Sequence, residues 1–280
     1  MHIRLLLLLF LLFRLAAADQ FDSVRGFIRK ELVTANMPSI AVAVARDGKI
    51  IWEEGFGWAD REKRIAATAQ TMYSLASISK PITATGLMLL VQTGKIDLDR
   101  PVNDYLGTAK LRARVGDATQ ATVRRVANHS SGLPLHYQFF YADEPYRSPP
   151  MDETIRRYAN LVTIPGEKYE YSNLGFGILD YVIARVSGRP YEEFMRQEVF
   201  SKLGLTHTSV GPLPDQVSAT RYGSDGEPIP FYDFDHRGGS AIYASAHDLV
   251  RFGLFHLKAH LADQAAILSD ASIDEMHKPT

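Results

Sequence analysis

The stretch Tyr73-Ser74-Leu75-Ala76-Ser77-Ile78-Ser79-Lys80-Pro81 leads into an apolar run of Ile82, Ala84, Leu87, Met88, Leu89, Leu90 and Val91. A helix that is apolar on almost every side belongs in the protein centre. Gly94 reads as its C-terminal stop. Pro81 is tolerated only in a first turn, where its missing N–H has no partner to lose. The helix is therefore expected to begin near Ser77. Ser77 and Lys80 then share one face, with Cβ atoms roughly 5–6 Å apart. Free N–H groups at a helix start favour negative charge, so an oxyanion forming beside Ser77 would be stabilised. The same field, with burial, disfavours a charged Lys80 and lowers its pKa. A hydroxyl beside such a lysine is an activated nucleophile. The spacing alone leaves a plainer reading open, with Ser77 as an N-cap and Lys80 as solvated surface. A lysine that opens a buried helix is hard to place on a surface.

The chain has 280 residues, enough for a full core in one or two domains. Its 46% hydrophobic and 22% charged content is ordinary for a globular protein. A net charge of −1 gives no reason to expect nucleic acid or an anionic membrane as partner. Arg4, the run Leu5 to Phe13 and Ala16-Ala17-Ala18 before Asp19 have the pattern of a secretory signal peptide over residues 1–18. The run is short for a membrane span, so no stable insertion is expected after cleavage. Residues 19–280 are then the folded domain, in a periplasm or secreted. With no cysteine, disulfides and lipid-modified thiols are excluded. No His-Glu-x-x-His, cysteine ligand set or phosphate loop is present, so no metal or other cofactor is expected.

Phe21 to Ala35 has helical spacing and ends before Pro38. Ile40 to Ala45, the Asp47-Gly48 turn and Ile50-Ile51-Trp52 read as a hairpin. Thr119 to Asn128 reads as a helix entering the loop His129-Ser130-Ser131-Gly132-Leu133-Pro134. Gln138 to Pro150 is an aromatic, Pro-rich surface loop, either a cleft wall or a satellite cluster. Asp152 is placed as the N-cap of a helix to Leu161. Leu174 to Val186 is a second apolar helix, stopped by Gly188 and Pro190, and Tyr191 to Phe200 is a third. Pro212 to Phe234 is loop-like. Ser245 and Asp248 form a capping box opening a helix to about His260. The class is α+β.

Tyr171-Ser172-Asn173 sits between the Pro165-Gly166 break and the second apolar helix, at a helix rim that can face a cleft. A phenol can relay a proton when a cation lowers its pKa, and a carboxamide can bind an amide. Alternatively, Tyr171 packs as an aromatic and Asn173 caps the helix. Together, Ser77-Ile78-Ser79-Lys80 and Tyr171-Ser172-Asn173 resemble the motifs of the class C β-lactamase and related esterase/DD-peptidase family. His129 to Pro134, Pro165-Gly166-Glu167, Gly238-Gly239-Ser240 and Ala244 to Leu249 are similar to further family segments. The resemblance covers residue 25 to the end.

The resemblance implies a β-lactamase/transpeptidase-like fold: an antiparallel sheet packed by helices, plus a mainly helical region. It implies a serine hydrolase acting on ester, D-amino-acid peptide or β-lactam carbonyls, so a small-molecule or peptide substrate. Ser77 would form an acyl-enzyme, with Lys80 and Tyr171 moving its proton. Asn173 would orient the substrate amide or Lys80. A penicillin-binding sensor without turnover, or an inactive scaffold, is the alternative. The family's third motif, Lys-Thr-Gly or His-x-Gly on a late strand, is not found. His236-Arg237-Gly238 fits the formula but comes too early. The C-terminal strands are therefore expected to be missing, leaving a sheet edge unpaired and one face of the central helix bare.

Overall fold

The computed structural model describes residues 20–213 and 215–279. The signal-like segment lies outside them. Residues up to 37 and residues from 38 onward form two separate compact units. The first contains α1, Asp22–Thr34, with Asp22 in its first turn paired to Arg25 at 3.0 Å.

The second unit opens with β1, Ser39–Arg46, and β2, Lys49–Asp60. Asp47 and Gly48 join them, both with positive φ, as the two-residue turn of a tight hairpin requires. The pairing is antiparallel from Ser39↔Gly57 to Arg46↔Lys49. The two-residue β3, Ile65–Ala66, completes the sheet on the β2 side. β1 is thus an edge strand among the described residues.

β4, Tyr73–Ser74, is followed by a 3-10 turn over Ala76–Ile78 and by α2, Ser79–Gln92. The expected start near Ser77 holds, and Pro81 sits in the first turn of α2. Gly94, with φ of 71°, closes the helix, its N–H reaching Val91 O while that of Lys95 reaches Leu90 O. Ile82, Leu87 and Leu90 are buried in the main core. One flank is open: Pro81, Ala84 and Met88 line a groove of about 430 Å³.

The remaining helical region runs through β5, Arg112–Ala113, α3, Val123–Ala127, β6, Phe140–Tyr141, and α4, Met151–Tyr158. Thr122 caps α3 through the Arg125 N–H. Two sequence expectations fail at α4. Pro150 is its N-cap and Asp152 lies inside the first turn, where its charge suits the helix dipole. The helix also stops at Tyr158, because residues 160–161 leave to form β7, Asn160–Leu161, parallel to β5.

α5, Asn173–Ser187, is the second core helix. Ser172, not Asn173, caps it, accepting from Gly175 N at 3.0 Å. Gly188, with φ of 70°, ends it as expected. α6, Tyr191–Met195, continues as a π-turn to Phe200. β8, Thr208–Val210, follows, and then the expected long loop, which carries β9, Tyr232–Asp233, paired with β6. Phe139, Tyr232 and Phe234 pack there, with Phe139–Tyr232 centroids 4.7 Å apart. The aromatic loop is packed as a cluster there, and its Phe139, Phe140 and Tyr146 also line a pocket, so both expected roles have support.

α7, Arg237–Ser240, is a four-residue turn; β10, Ile242–Ala244, lies between β4 and β8 in an antiparallel sheet. α8, Ala246–His256, is capped by Ser245, which accepts from Asp248 N at 3.1 Å. The reciprocal half of the expected capping box is missing. Asp248 instead accepts from His207 N and Thr208 Oγ1, each at 2.7 Å, tying α8 to β8. The helix ends at His256 rather than His260, with Lys258 at φ of 60°. α9, Asp270–Met276, is the last element. No helix among the described residues is long and apolar enough to cross a membrane.

Candidate active site

The site is assembled where β4 hands over to α2. β4 is pinned to β10 through Tyr73↔Ala244 and Ser74↔Tyr243, and Leu75 N–H bonds Ile242 O at 2.9 Å. Ala76 then takes φ of 46°, a left-handed conformation that a side chain disfavours. The kink leaves Ser77 exposed at the helix entrance while Lys80, one turn on, is buried.

The four residues singled out from the sequence converge. Tyr171 Oη donates to Ser77 Oγ at 2.8 Å. Lys80 Nζ donates to Ser77 Oγ at 3.2 Å, Asn173 Oδ1 at 2.8 Å and Gly239 O at 2.9 Å. An ammonium has three protons, and all three are engaged. Burial pulls the Lys80 pKa below the usual lysine range, opposed in part by Tyr171. The amine lies 4.8 Å from the Tyr171 ring centroid.

The loop His129 to Pro134 holds the tyrosine turn from behind. Glu170 N donates to His129 O, Asn173 N to Leu135 O, and Ser172 Oγ to Pro134 O, at 2.7–2.8 Å. The His129 ring packs on Tyr171, centroids 4.4 Å apart. Its Nδ1 accepts from Ser172 N, so the neutral ring carries its proton on Nε2. Burial, helped by the charge of Lys80, lowers the His129 pKa to about 4 and keeps the ring neutral near pH 7.

Sequence reasoning placed Gly239 in a family-like segment but gave it no role in the site. His236-Arg237-Gly238 is no strand motif here: it enters the α7 turn, which packs against α5 and α2. A Cβ on Gly177 would lie 2.8 Å from His236 Cα, and one on Gly238 would lie 2.8 Å from Phe176 O. Only glycine permits this approach. Thr83 Oγ1 bonds Gly238 O at 2.7 Å and Gly238 N bonds Asp180 Oδ2 at 2.6 Å, which aims the next carbonyl at Lys80. His136 and His236, far apart in the chain, both meet Asp235. These three are the one cluster of metal-ligand-type side chains found among the described residues. Asp235 accepts from both histidines and from Thr154 Oγ1.

Among curated proteins, penicillin-binding protein 4* of Bacillus subtilis (strain 168) is 28% identical over 194 residues, 65% of this chain and 41% of that protein. The chain spans about half, or less, of the length of the curated relatives it matches. The octameric penicillin-binding protein homologue from Pyrococcus abyssi superposes with a TM-score of 0.76 at 26% identity, over 93% of this chain and 60% of the other. A class C beta-lactamase superposes at 0.74 and 23% identity, over 91% and 68%. The fold, with helices packed on antiparallel sheets, is therefore β-lactamase/transpeptidase-like. The beta-lactamase family model matches residues 24–280, and this chain belongs to that family.

Proposed function

We propose that the chain is an exported serine hydrolase that acts through an acyl-enzyme on Ser77. The observation that carries this reading is the convergence of Tyr171 Oη and Lys80 Nζ on Ser77 Oγ, at 2.8 and 3.2 Å. In that arrangement both neighbours donate, which is the fully protonated resting state. Loss of one proton from the Lys80–Tyr171 pair turns it into a base for the serine hydroxyl. Lys80 and Tyr171 both meet the Ser77 oxygen, so the proton moves through the two together. As Ser77 attacks a carbonyl, its proton passes to the pair and then to the leaving group. Water is activated by the same route in deacylation. Asn173 holds Lys80 through Oδ1. The Ser77 N–H, at a helix start, would supply one oxyanion donor.

The substrate classes are esters, D-amino-acid peptides and β-lactams. Intact mass after exposure to a penicillin and, separately, to an activated short-chain ester tests the proposal. An adduct absent from Ser77→Ala is expected, and the reacting reagent separates β-lactam from ester chemistry. A stable adduct without product release identifies a sensor. No adduct with either reagent overturns the hydrolase reading. For export, the expected mature N-terminus is Asp19, checked by N-terminal sequencing of material from the periplasm or medium.

The chemistry of the pair also sets a pH dependence. The active base is the deprotonated form, and the Lys80 pKa is lowered by burial. The acylation rate is therefore expected to rise with pH along a limb centred below the reference lysine value of about 10.4. A limb at or above that value would remove Lys80 from the base.

A further inference from the structure

Behind Lys80 lies a buried group that the proposed chemistry does not use. The Asp235 side chain is wholly buried. Its two oxygens both lie 2.9 Å from His136 Nε2. Oδ1 accepts from His236 Nδ1 at 3.0 Å, and Oδ2 from Thr154 Oγ1 at 3.1 Å. An ionised carboxylate only accepts, so each facing ring nitrogen carries a proton. Burial opposes ionisation, but the bonds from His136 and His236 hold the Asp235 pKa well below the usual range.

Each clamped histidine leads to one acceptor of the Lys80 amine. His136 O accepts from Asn173 Nδ2 at 3.0 Å, which turns Asn173 Oδ1 toward Lys80. His136 itself sits at φ of 49°, a conformation that needs outside support. His236 opens the turn that carries Gly239, and Gly239 N bonds His236 O at 2.9 Å. Gly239 O is the second acceptor. One carboxylate therefore ties together two distant segments that converge on the same ammonium.

We propose that Asp235 is a positioning residue, a clamp on His136 and His236 that keeps Asn173 Oδ1 and Gly239 O fixed on the Lys80 amine. The inference rests on Lys80 serving the Ser77 site as proposed above. Three ionisable groups face the amine: Tyr171 from the segment before α5, His129 from the loop after α3, and His236 from the segment before α7. Slackening the clamp loosens two acceptors that favour charged Lys80, so its pKa falls further.

The test is a 13Cε NMR titration of Lys80 in the wild-type chain, Asp235→Asn and His136→Asn, assigned with Lys80→Ala. Asparagine tolerates the left-handed backbone at 136, and that variant keeps the Asp235 charge. A downward shift of about one unit is expected in both variants, a tenfold loss of proton affinity. A shift in Asp235→Asn alone would mean a through-space charge effect and overturn the clamp, as would no shift in either. If Asp235→Asn loses its native near-UV circular dichroism, His136→Asn decides. If both lose it, the cluster holds the fold rather than the amine, and the proposal fails. The titration needs no turnover. Absence of a Ser77 adduct would thus defeat the hydrolase reading and leave this test standing.

Discussion

Tyr171 offers two things that one substitution separates. Its ring packs on His129, and its hydroxyl donates to Ser77 at 2.8 Å. Tyr171→Phe keeps the ring and loses the proton path. Acylation is expected to slow by about 10²–10⁴, the usual worth of a general acid–base group, with the melting temperature near wild type. An unchanged rate would assign the whole proton transfer to Lys80. Ala76 is a second residue with a local consequence. Its left-handed φ of 46° costs roughly 1–2 kcal/mol for a residue with a Cβ. Ala76→Gly relieves this and gives back roughly 0.5–1 kcal/mol in chain entropy. A net gain of up to about 1.5 kcal/mol is expected in urea denaturation; a loss would show that the methyl group is needed for packing. Ser77, Lys80, Tyr171 and Asn173 were legible because the side chains proposed to do the chemistry are written in the sequence. Gly239 O was not, since every residue has a carbonyl and only the fold aims it.

Among the elements, α5 separates two uses of glycine. Gly188 is the left-handed C-cap and a Cβ there would meet open space. Gly188→Ala is expected to cost about 1 kcal/mol from backbone strain alone, with acylation unchanged. At Gly177 a Cβ would meet His236 Cα and Cβ at 2.8 and 2.9 Å. Gly177→Ala is expected to cost about 1–3 kcal/mol as overpacking and also to slow acylation, because it displaces the segment that carries Gly239. Denaturation curves and adduct formation on both variants check the contrast. Equal effects on acylation would show that α7 does not transmit the shift. Glycine and proline punctuation explains why α2 and α5 were readable. The ends of α4 and α8 were not, because strand pairing at β7 and a loop at Lys258 stopped helices whose local sequence could continue.

Across the whole molecule, buried ionisable groups set opposing limbs of stability against pH. Burial lowers the His256 pKa to about 4, helped by His277, below its unfolded value of about 6.5. That contribution is present above pH 6.5 and is lost as pH falls toward 4. Burial raises the Asp180 pKa to about 8. Its contribution is full below the unfolded carboxyl value of about 3.9 and is lost as pH rises through 8. Thermal melts across pH are expected to show a flatter acid limb for His256→Gln and a flatter alkaline limb for Asp180→Asn. Limbs that match wild type would place the titrating groups elsewhere. The sequence by itself determined the α+β class, the two buried helices and the hairpin, and it named the four side chains that the structure brings together. Periodicity, punctuation and motif spacing are local, and local order needs no knowledge of the rest of the chain. Tertiary structure alone decided that Gly239 O completes the Lys80 coordination, that Ser172 rather than Asn173 caps α5, and that Asp235 gathers two histidines. Those contacts join segments far apart in the chain, and their geometry exists only once the core has closed around them.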